Sequence, residues 1–416
     1  MIASLKCEST SKDTKVIQVT GSKSESNRLL VLQALFPEIN IENLSESDDT
    51  LVLKKGLKIS NGEVDVHHAG TAMRFLAAYF AATKGTEILL TGSTRMQQRP
   101  IKILVDALRS LGTSIVYDKV EGYPPLRIIG KKLNNNTVNI KANVSSQYIS
   151  ALMLIASSLT NGLTIHLEGE VTSVPYIKMT LSLLERMGAV CSFSNNIIKI
   201  ERPIKVPEAT FVVESDWSSA SYFYSMVALS KGSSVKLASY TESSLQGDRA
   251  LSSIYKNLGV NTTFNVGDSS ILLSKNEEDL PSSISLDLSD TPDIAQTIAV
   301  TCFGLGIACE LRGLHTLKIK ETDRLTALKT ELEKLGADVT ITEDTLILEL
   351  HAALDFSEAI KRKVQINTYQ DHRMAMAFAP LALRFPLIIN EPMVVTKSFP
   401  TFWEDISRMG IKVDFE

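Results

Sequence analysis

The chain has 416 residues, enough for two domains with cores of their own, and its 44% hydrophobic and 22% charged residues are ordinary for a folded globular protein. A formal net charge of −4 excludes the broad basic surface of a nucleic-acid binder, and no stretch of about 20 uninterrupted apolar residues marks a membrane span. Four cysteines, Cys7, Cys191, Cys302 and Cys309, have neither zinc-ligand spacing nor the density of a disulfide framework, so a cytoplasmic setting and no metal are expected.

Along the chain, residues 1–15 lack a charged-then-apolar leader and residues 16–19 read as a strand, so no targeting segment is expected. Gly21-Ser22-Lys23-Ser24-Glu25-Ser26-Asn27-Arg28 then opens the apolar run 29–36, with Ser22 and Glu25 spaced as a capping box. Ala69-Gly70-Thr71-Ala72-Met73-Arg74 opens the run 75–82, and Arg95-Met96-Gln97-Gln98-Arg99-Pro100 opens 101–111, where Pro100 suits the first helical position. Ser145-Ser146-Gln147-Tyr148 and Ser173-Val174-Pro175-Tyr176 are polar, uncharged helix starts, and Asp216 reads as a helix cap. Lys320-Glu321-Thr322-Asp323-Arg324, Asp371-His372-Arg373-Met374 and Lys397-Ser398-Phe399-Pro400 again put cations at helix starts. A helix N-terminus carries about half a positive charge, so a Lys or Arg there costs roughly 0.3–1 kcal/mol unless something negative faces it. An anionic ligand would remove that cost, because the free N–H groups of the first turn already bind anions. Six cationic starts, with the two uncharged ones at 145–148 and 173–176, point to one polyanionic site.

An amphipathic helix ending in Gly, then a short strand and a turn, recurs at Gly56, Gly112, Gly188, Gly259, Gly336 and Gly410, about 55 to 77 residues apart. Residues 320–350 show the unit best, as helix, Gly336, strand, Glu343-Asp344 turn and return strand. Six βαβαββ-like units predict two α/β domains of three repeats each, in which nearly all-apolar helices such as 146–159 and 292–303 lie buried inside outer sheets.

Taken together, the motifs resemble the 5-enolpyruvylshikimate-3-phosphate synthases, the 3-phosphoshikimate 1-carboxyvinyltransferases of the shikimate pathway. The resemblance runs from Gly21 to Phe402: residues 21–28 match GSKSxSNR, 69–74 AGTAMR, 95–100 RMxxRP, 144–147 VSSQ, 320–324 KETDR and 371–376 DHRMAM. Any one of these strings is ordinarily a cap or a solvated helix face, and the weight lies in their joint order. The resemblance implies two inverse α/β domains, 22–214 (mainly binding shikimate 3-phosphate) and a discontinuous 1–21 with 215–416, with the active site in the interdomain cleft.

It also implies the reaction: the 5-hydroxyl of shikimate 3-phosphate attacks C2 of phosphoenolpyruvate as C3 is protonated, and the tetrahedral ketal loses a C3 proton and phosphate. Such chemistry needs a base, a group that is acid and then base at C3, and cations around two phosphates and two carboxylates, with no cofactor. By resemblance Asp293, Glu321 and Lys23 are catalytic. Shikimate 3-phosphate falls to Lys23, Ser24, Arg28, Ser145, Ser146, Gln147, Ser173, Tyr176, Asp293 and Lys320, and phosphoenolpyruvate to Lys23, Gly70, Arg99, Gln147, Arg324, Arg373 and Lys397. His372 is expected to be structural, and a cytoplasmic monomer with small-molecule substrates only is expected. Glyphosate is expected to occupy the space that Gly70 leaves. Departures from the pattern are His68 for Asn, Phe75 for Pro, Thr316 for Asn and Val174 for Lys. The related UDP-N-acetylglucosamine enolpyruvyl transferases carry a reactive loop Cys that residues 92–99 lack. A non-catalytic anion binder would not need Asp293 and Glu321.

Overall fold

The computed structural model describes residues 1–8, 13–142, 145–171, 174–201, 208–276, 278–349 and 357–416. These form two compact units, Gly21–Val213, and Met1–Thr20 together with Glu214–Glu416.

One rule builds nearly every sheet. In the unit of residues 21–213, Asn61–Asp65 and Glu87–Thr91 run parallel, and Leu126–Ile129 and Ser114–Tyr117 extend the sheet antiparallel, in the spatial order first, second, fourth, third. Thr137–Lys141, Leu163–Glu168, Cys191–Ser194 and Ile197–Ile200 repeat the plan. Parallel neighbours need a crossover, which helix Gly70–Ala82 supplies in the first sheet and Ser146–Ala156 in the second. Both helices are apolar on almost every side, and almost every residue of each is buried, as an all-round apolar sequence requires. Amphipathic Lys102–Ser110 instead buries one stripe, Leu104, Val105, Ala107 and Leu108. The third sheet of this unit shows only the parallel pair Ile39–Glu42 and Ala209–Val212 among the described residues, fewer strands than the repeat predicts.

The other unit has three four-stranded sheets of the same plan. Helix Ala295–Leu305 bridges Ser283–Asp287 to Ala308–Arg312, and helix His372–Phe378 bridges Gln365–Ile366 to Leu387–Asn390. With Trp217–Leu229 these are the buried helices of that unit's core. The hairpin after Gly336 has strands Asp338–Ile341 and Leu346–Glu349, and Thr342 Oγ1 accepts from the N–H groups of Asp344 and Thr345 to close its turn.

Several local expectations are corrected. Gly56 is the last residue of helix Asp48–Gly56, without positive φ. Its lack of a side chain serves packing, because a Cβ there would lie 2.7 Å from Leu76 Cδ1. Pro100 does not begin a helix: Met96–Gln98 is a 3-10 turn, Ile101 is the N-cap of Lys102–Ser110, and the Ile101 N–H is held by Gly122 O at 2.9 Å. Lys397 ends the 3-10 turn Pro392–Lys397, whereas the last helix starts at Phe402. Lys320 and Glu321 stand in a bend before Asp323, the N-cap of Arg324–Lys334.

Candidate active site

In the unit that carries the C-terminus, three buried-helix N-termini meet. Arg373, second residue of His372–Phe378, lies 3.5 Å from Asp293 at the start of the Pro292–Ile294 turn and donates to Ser218 Oγ, near the start of Trp217–Leu229, at 3.3 Å. Each start is capped locally: Asp216 accepts from Ser219 N at 2.8 Å and Asp371 from Arg373 N at 2.8 Å, while Pro292 presets the first turn before Ala295.

Arg324, 2% exposed, organises the charges. Its Nη1 meets Asp293 at 2.9 Å, its Nη2 meets Glu321 at 2.8 Å, and its Nε meets Asp371 at 2.6 Å. Lys397 closes on the other Glu321 oxygen at 2.7 Å, and Lys320 approaches Asp293 at 3.4 Å. Burial alone would push the Arg324 guanidinium down, but Asp371, Glu321 and Asp293 together raise it above the usual arginine range. Arg373 is likewise raised against burial, first by Asp293. For Lys320 burial prevails over Asp293 and lowers the ammonium from its ordinary value. The site can therefore present fixed cations beside two carboxylates, the groups needed to bind an anion and move protons next to it. The buried Arg373 Nε has no acceptor among the described residues.

The unit of residues 21–213 gathers a second group. Arg28, on helix Lys23–Leu35 behind its Ser22 cap, is 2% exposed and donates to Ser24 O (2.7 Å), Ser150 Oγ (2.8 Å) and Thr180 Oγ1 (2.8 Å). Its guanidinium lies 5.6 Å from the ring centroids of both Phe75 and Tyr176. Burial lowers Arg28 to about 10, with Tyr176 and Glu25 opposing. Gln147 donates to Thr71 Oγ1 at 3.2 Å, behind the Ser145 cap that accepts its N–H at 3.3 Å. Gly70 begins its helix beneath Arg99: a Cβ on it would lie 2.7 Å from Arg99 Nη1. Arg99 Nε is buried with no acceptor among the described residues. Lys23 opens its helix half-buried and, among the described residues, makes no ion pair; Ser146 is half-buried in the first turn of its own helix. Ser173, like Val144 of the 144–147 string, lies outside the described residues.

Sequence reasoning therefore named the groups brought together around Arg324 and around Arg28, but missed the residues that hold them. Fully buried Asp371 clamps Arg324, and its place before His372-Arg373 was the available signal. Asp248, 6% exposed, accepts from Ser218 and Thr291, and burial followed by the Asp293 charge raises its carboxyl. An acid in the short 3-10 turn Gly247–Ala250, outside every quoted motif, gave no signal. His372 is 1% exposed, its Nδ1 3.6 Å from Asp371, which fits a structural histidine. Of the departures, His68 Nδ1 pairs with Ser93 Oγ at 2.9 Å, and Thr316 Oγ1 is buried without a partner among the described residues.

Repeated mixed sheets around buried helices, with cations and carboxylates gathered at the helix starts, define an α/β protein with an anion-binding site fit for proton transfer. Residues 52–406 match the family EPSP synthase (3-phosphoshikimate 1-carboxyvinyltransferase). A 3-phosphoshikimate 1-carboxyvinyltransferase of Bacteroides fragilis (strain YCH46) is 45% identical over 96% of this chain and 97% of its own, and one of Sulfurovum sp. (strain NBC37-1) is 37% identical over 95% and 96%. The fold is that of an EPSP synthase from Acinetobacter baumannii, with a TM-score of 0.77 over the full length of both chains at 21% identity. The chain belongs to the EPSP synthase family.

Proposed function

We propose that the chain transfers the enolpyruvyl group of phosphoenolpyruvate to the 5-hydroxyl of shikimate 3-phosphate and releases phosphate, through a tetrahedral ketal. The observation that carries this reading is the Asp293 carboxylate within 3.5 Å of Lys320, Arg324 and Arg373, beside a Glu321 shared by Arg324 and Lys397. A carboxylate fixed among cations can take a hydroxyl proton while the same cations hold the anionic co-substrate.

In this reading Asp293 accepts the 5-hydroxyl proton and Lys320 orients that hydroxyl. Glu321 protonates C3 of phosphoenolpyruvate and removes the proton again on elimination, and Lys23 protonates the departing phosphate. Arg324, Arg373 and Lys397, with Lys23, Gly70, Arg99 and Gln147, bind phosphoenolpyruvate, the Arg forks suiting its carboxylate and phosphate. Ser24, Arg28, Ser145, Ser146, Gln147, Ser173 and Tyr176 bind shikimate 3-phosphate, so that the 22–214 domain is mainly the shikimate 3-phosphate side. The enzyme works as a cytoplasmic monomer, and glyphosate competes beside Gly70, where a Cβ would lie 2.7 Å from Arg99 Nη1 and displace that guanidinium.

The test is phosphate release from phosphoenolpyruvate with shikimate 3-phosphate, run beside UDP-N-acetylglucosamine as acceptor. Release with shikimate 3-phosphate alone is expected, falling about 10²–10⁴-fold in Asp293→Ala. Release only with the amino sugar would assign the acceptor wrongly. Binding of shikimate 3-phosphate without release would refute the catalytic roles.

A further inference from the structure

A fully buried carboxylate that the reaction does not use lies two helical turns beyond Arg324. Glu331, 0% exposed on helix Arg324–Lys334, accepts from the Tyr369 hydroxyl at 2.5 Å, from Lys334 Nζ at 2.7 and 2.8 Å, and from the Asn367 N–H at 3.2 Å. A carboxylate this deep is retained only with all its lone pairs engaged, so its partners report its role.

Two of those partners belong to one turn, Tyr369 inside it and Asn367 just before it. Asp371 N donates to Thr368 O at 2.8 Å, and the residues between, Tyr369 and Gln370, have φ of +53° and +57°. Positive φ at both central positions is the pattern of a type I′ turn, which favours Gly or Asn and is sparsely populated by residues such as Tyr and Gln. Strained backbone persists only where its surroundings over-determine it, and it concentrates at functional sites. This turn delivers Asp371, which receives the Arg324 Nε at 2.6 Å and caps the helix that carries Arg373. Helix Arg324–Lys334 thus grips the turn at two points: Arg324 on Asp371 after it, and Glu331 on Tyr369 and Asn367. Burial, then the hydrogen bond to Glu331, pushes the Tyr369 hydroxyl up to about 12, so it remains a donor at any working pH.

We propose that Glu331 is a positioning residue: through Tyr369 and Asn367 it holds the 368–371 turn in its left-handed form, and so fixes Asp371 against Arg324 and the aim of Arg373. The effect on substrate rests on the proposed function, in which Arg324 and Arg373 hold phosphoenolpyruvate.

Tyr369→Phe removes one hydroxyl and leaves Glu331 paired with Lys334. In that variant KM for phosphoenolpyruvate is expected to rise about tenfold, with kcat and KM for shikimate 3-phosphate within about twofold of the unchanged enzyme. Glu331→Gln is expected to act in the same direction. Adding Gln370→Gly to Tyr369→Phe relieves the backbone at a left-handed position and is expected to recover most of the loss. A role in stability alone would lower the unfolding temperature without changing the ratio of the two KM values, and that result overturns the proposal. Should the unchanged enzyme show no turnover, the functional reading fails, and the brace is judged on structure. A crystal structure of Tyr369→Phe that keeps both positive φ values and the 2.6 Å Arg324–Asp371 contact overturns it, whereas a relaxed turn with that contact broken upholds it.

Discussion

Arg324 and its three carboxylates show why single residues in this chain have to be weighed as a set. Removing one partner of a buried ion pair costs about 3–5 kcal/mol because a charge is left alone, whereas the intact pair is close to neutral for stability. The cations at the helix starts were read from sequence as awaiting an anionic ligand. In the structure Asp293, Glu321 and Asp371 already face Arg324, so part of that electrostatic cost is met inside the protein. Asp371 stood in view within the 371–376 string, but the string does not say which cation it faces, whereas Asp248, in the 3-10 turn Gly247–Ala250, belongs to no quoted motif. Lys320 supplies a pH test at this scale. Burial lowers its ammonium below the ordinary 10.5, so between the lowered value and 10.5 the unfolded chain holds a proton that the folded chain has released. Stability should therefore gain from Lys320 as pH rises through that window, while on the proposed mechanism the orientation of the substrate hydroxyl by the cation is lost. The alkaline limb of kcat/KM for shikimate 3-phosphate is expected to inflect below 10.5 and to move up in Lys320→Arg, because an arginine there stays charged. A limb that does not move would belong to another group.

Among elements, the buried helices were the most legible. Helices such as Ser146–Ala156 and Ala295–Leu305 lack a polar stripe, so their sequences exclude a place at the surface. Boundaries at Pro100 and Lys397 were misread because short 3-10 turns stand where a helix was expected, and cationic composition does not separate the two. Gly56 was misread because a glycine that ends a helix by conformation and one that lets two helices touch look alike in sequence. Gly304 is a second packing glycine, inside Ala295–Leu305: a Cβ there would lie 2.7 Å from Leu229 Cδ2 and 2.8 Å from Leu381 Cδ2. Overpacking costs about 1–3 kcal/mol, against a gain of about 1 kcal/mol in helix propensity. Gly304→Ala is accordingly expected to lower the urea midpoint by the equivalent of about 1 kcal/mol with no change in slope. Gly267→Ala, with nothing within 4 Å of the new Cβ, should leave the midpoint in place. A Gly304→Ala midpoint equal to that control would mean that the two leucines yield freely.

For the molecule as a whole, three of the six repeat glycines fall within 21–213 and three beyond it. The identity of the strand that completes the last sheet was not legible, because pairing between residues some 400 positions apart leaves no local pattern. Strand Ile2–Cys7 lies between Leu387–Asn390 and Ile411–Phe415, antiparallel to both. Ile2 N donates to Glu416 O at 2.9 Å and Glu416 N to Ile2 O at 3.0 Å, so the two ends of the chain meet as the arms of a hairpin do. A linker of roughly three to five residues should span them without strain. The chain 214–416, linker, 1–20 would then be continuous and would keep every strand of its three sheets, including the parallel pair of Lys15–Ile17 with Ser234–Ala238. Its hydrophobic core, from Ala3 to Ile411, draws only on its own residues, so it meets the physical requirement for independent folding. Expressed alone, it is expected to unfold in one cooperative urea transition with native-like near-ultraviolet circular dichroism, and the same chain without residues 1–8 is expected to lose both. A broad, non-cooperative transition in the complete rearranged chain would show that its core needs residues 21–213 to form.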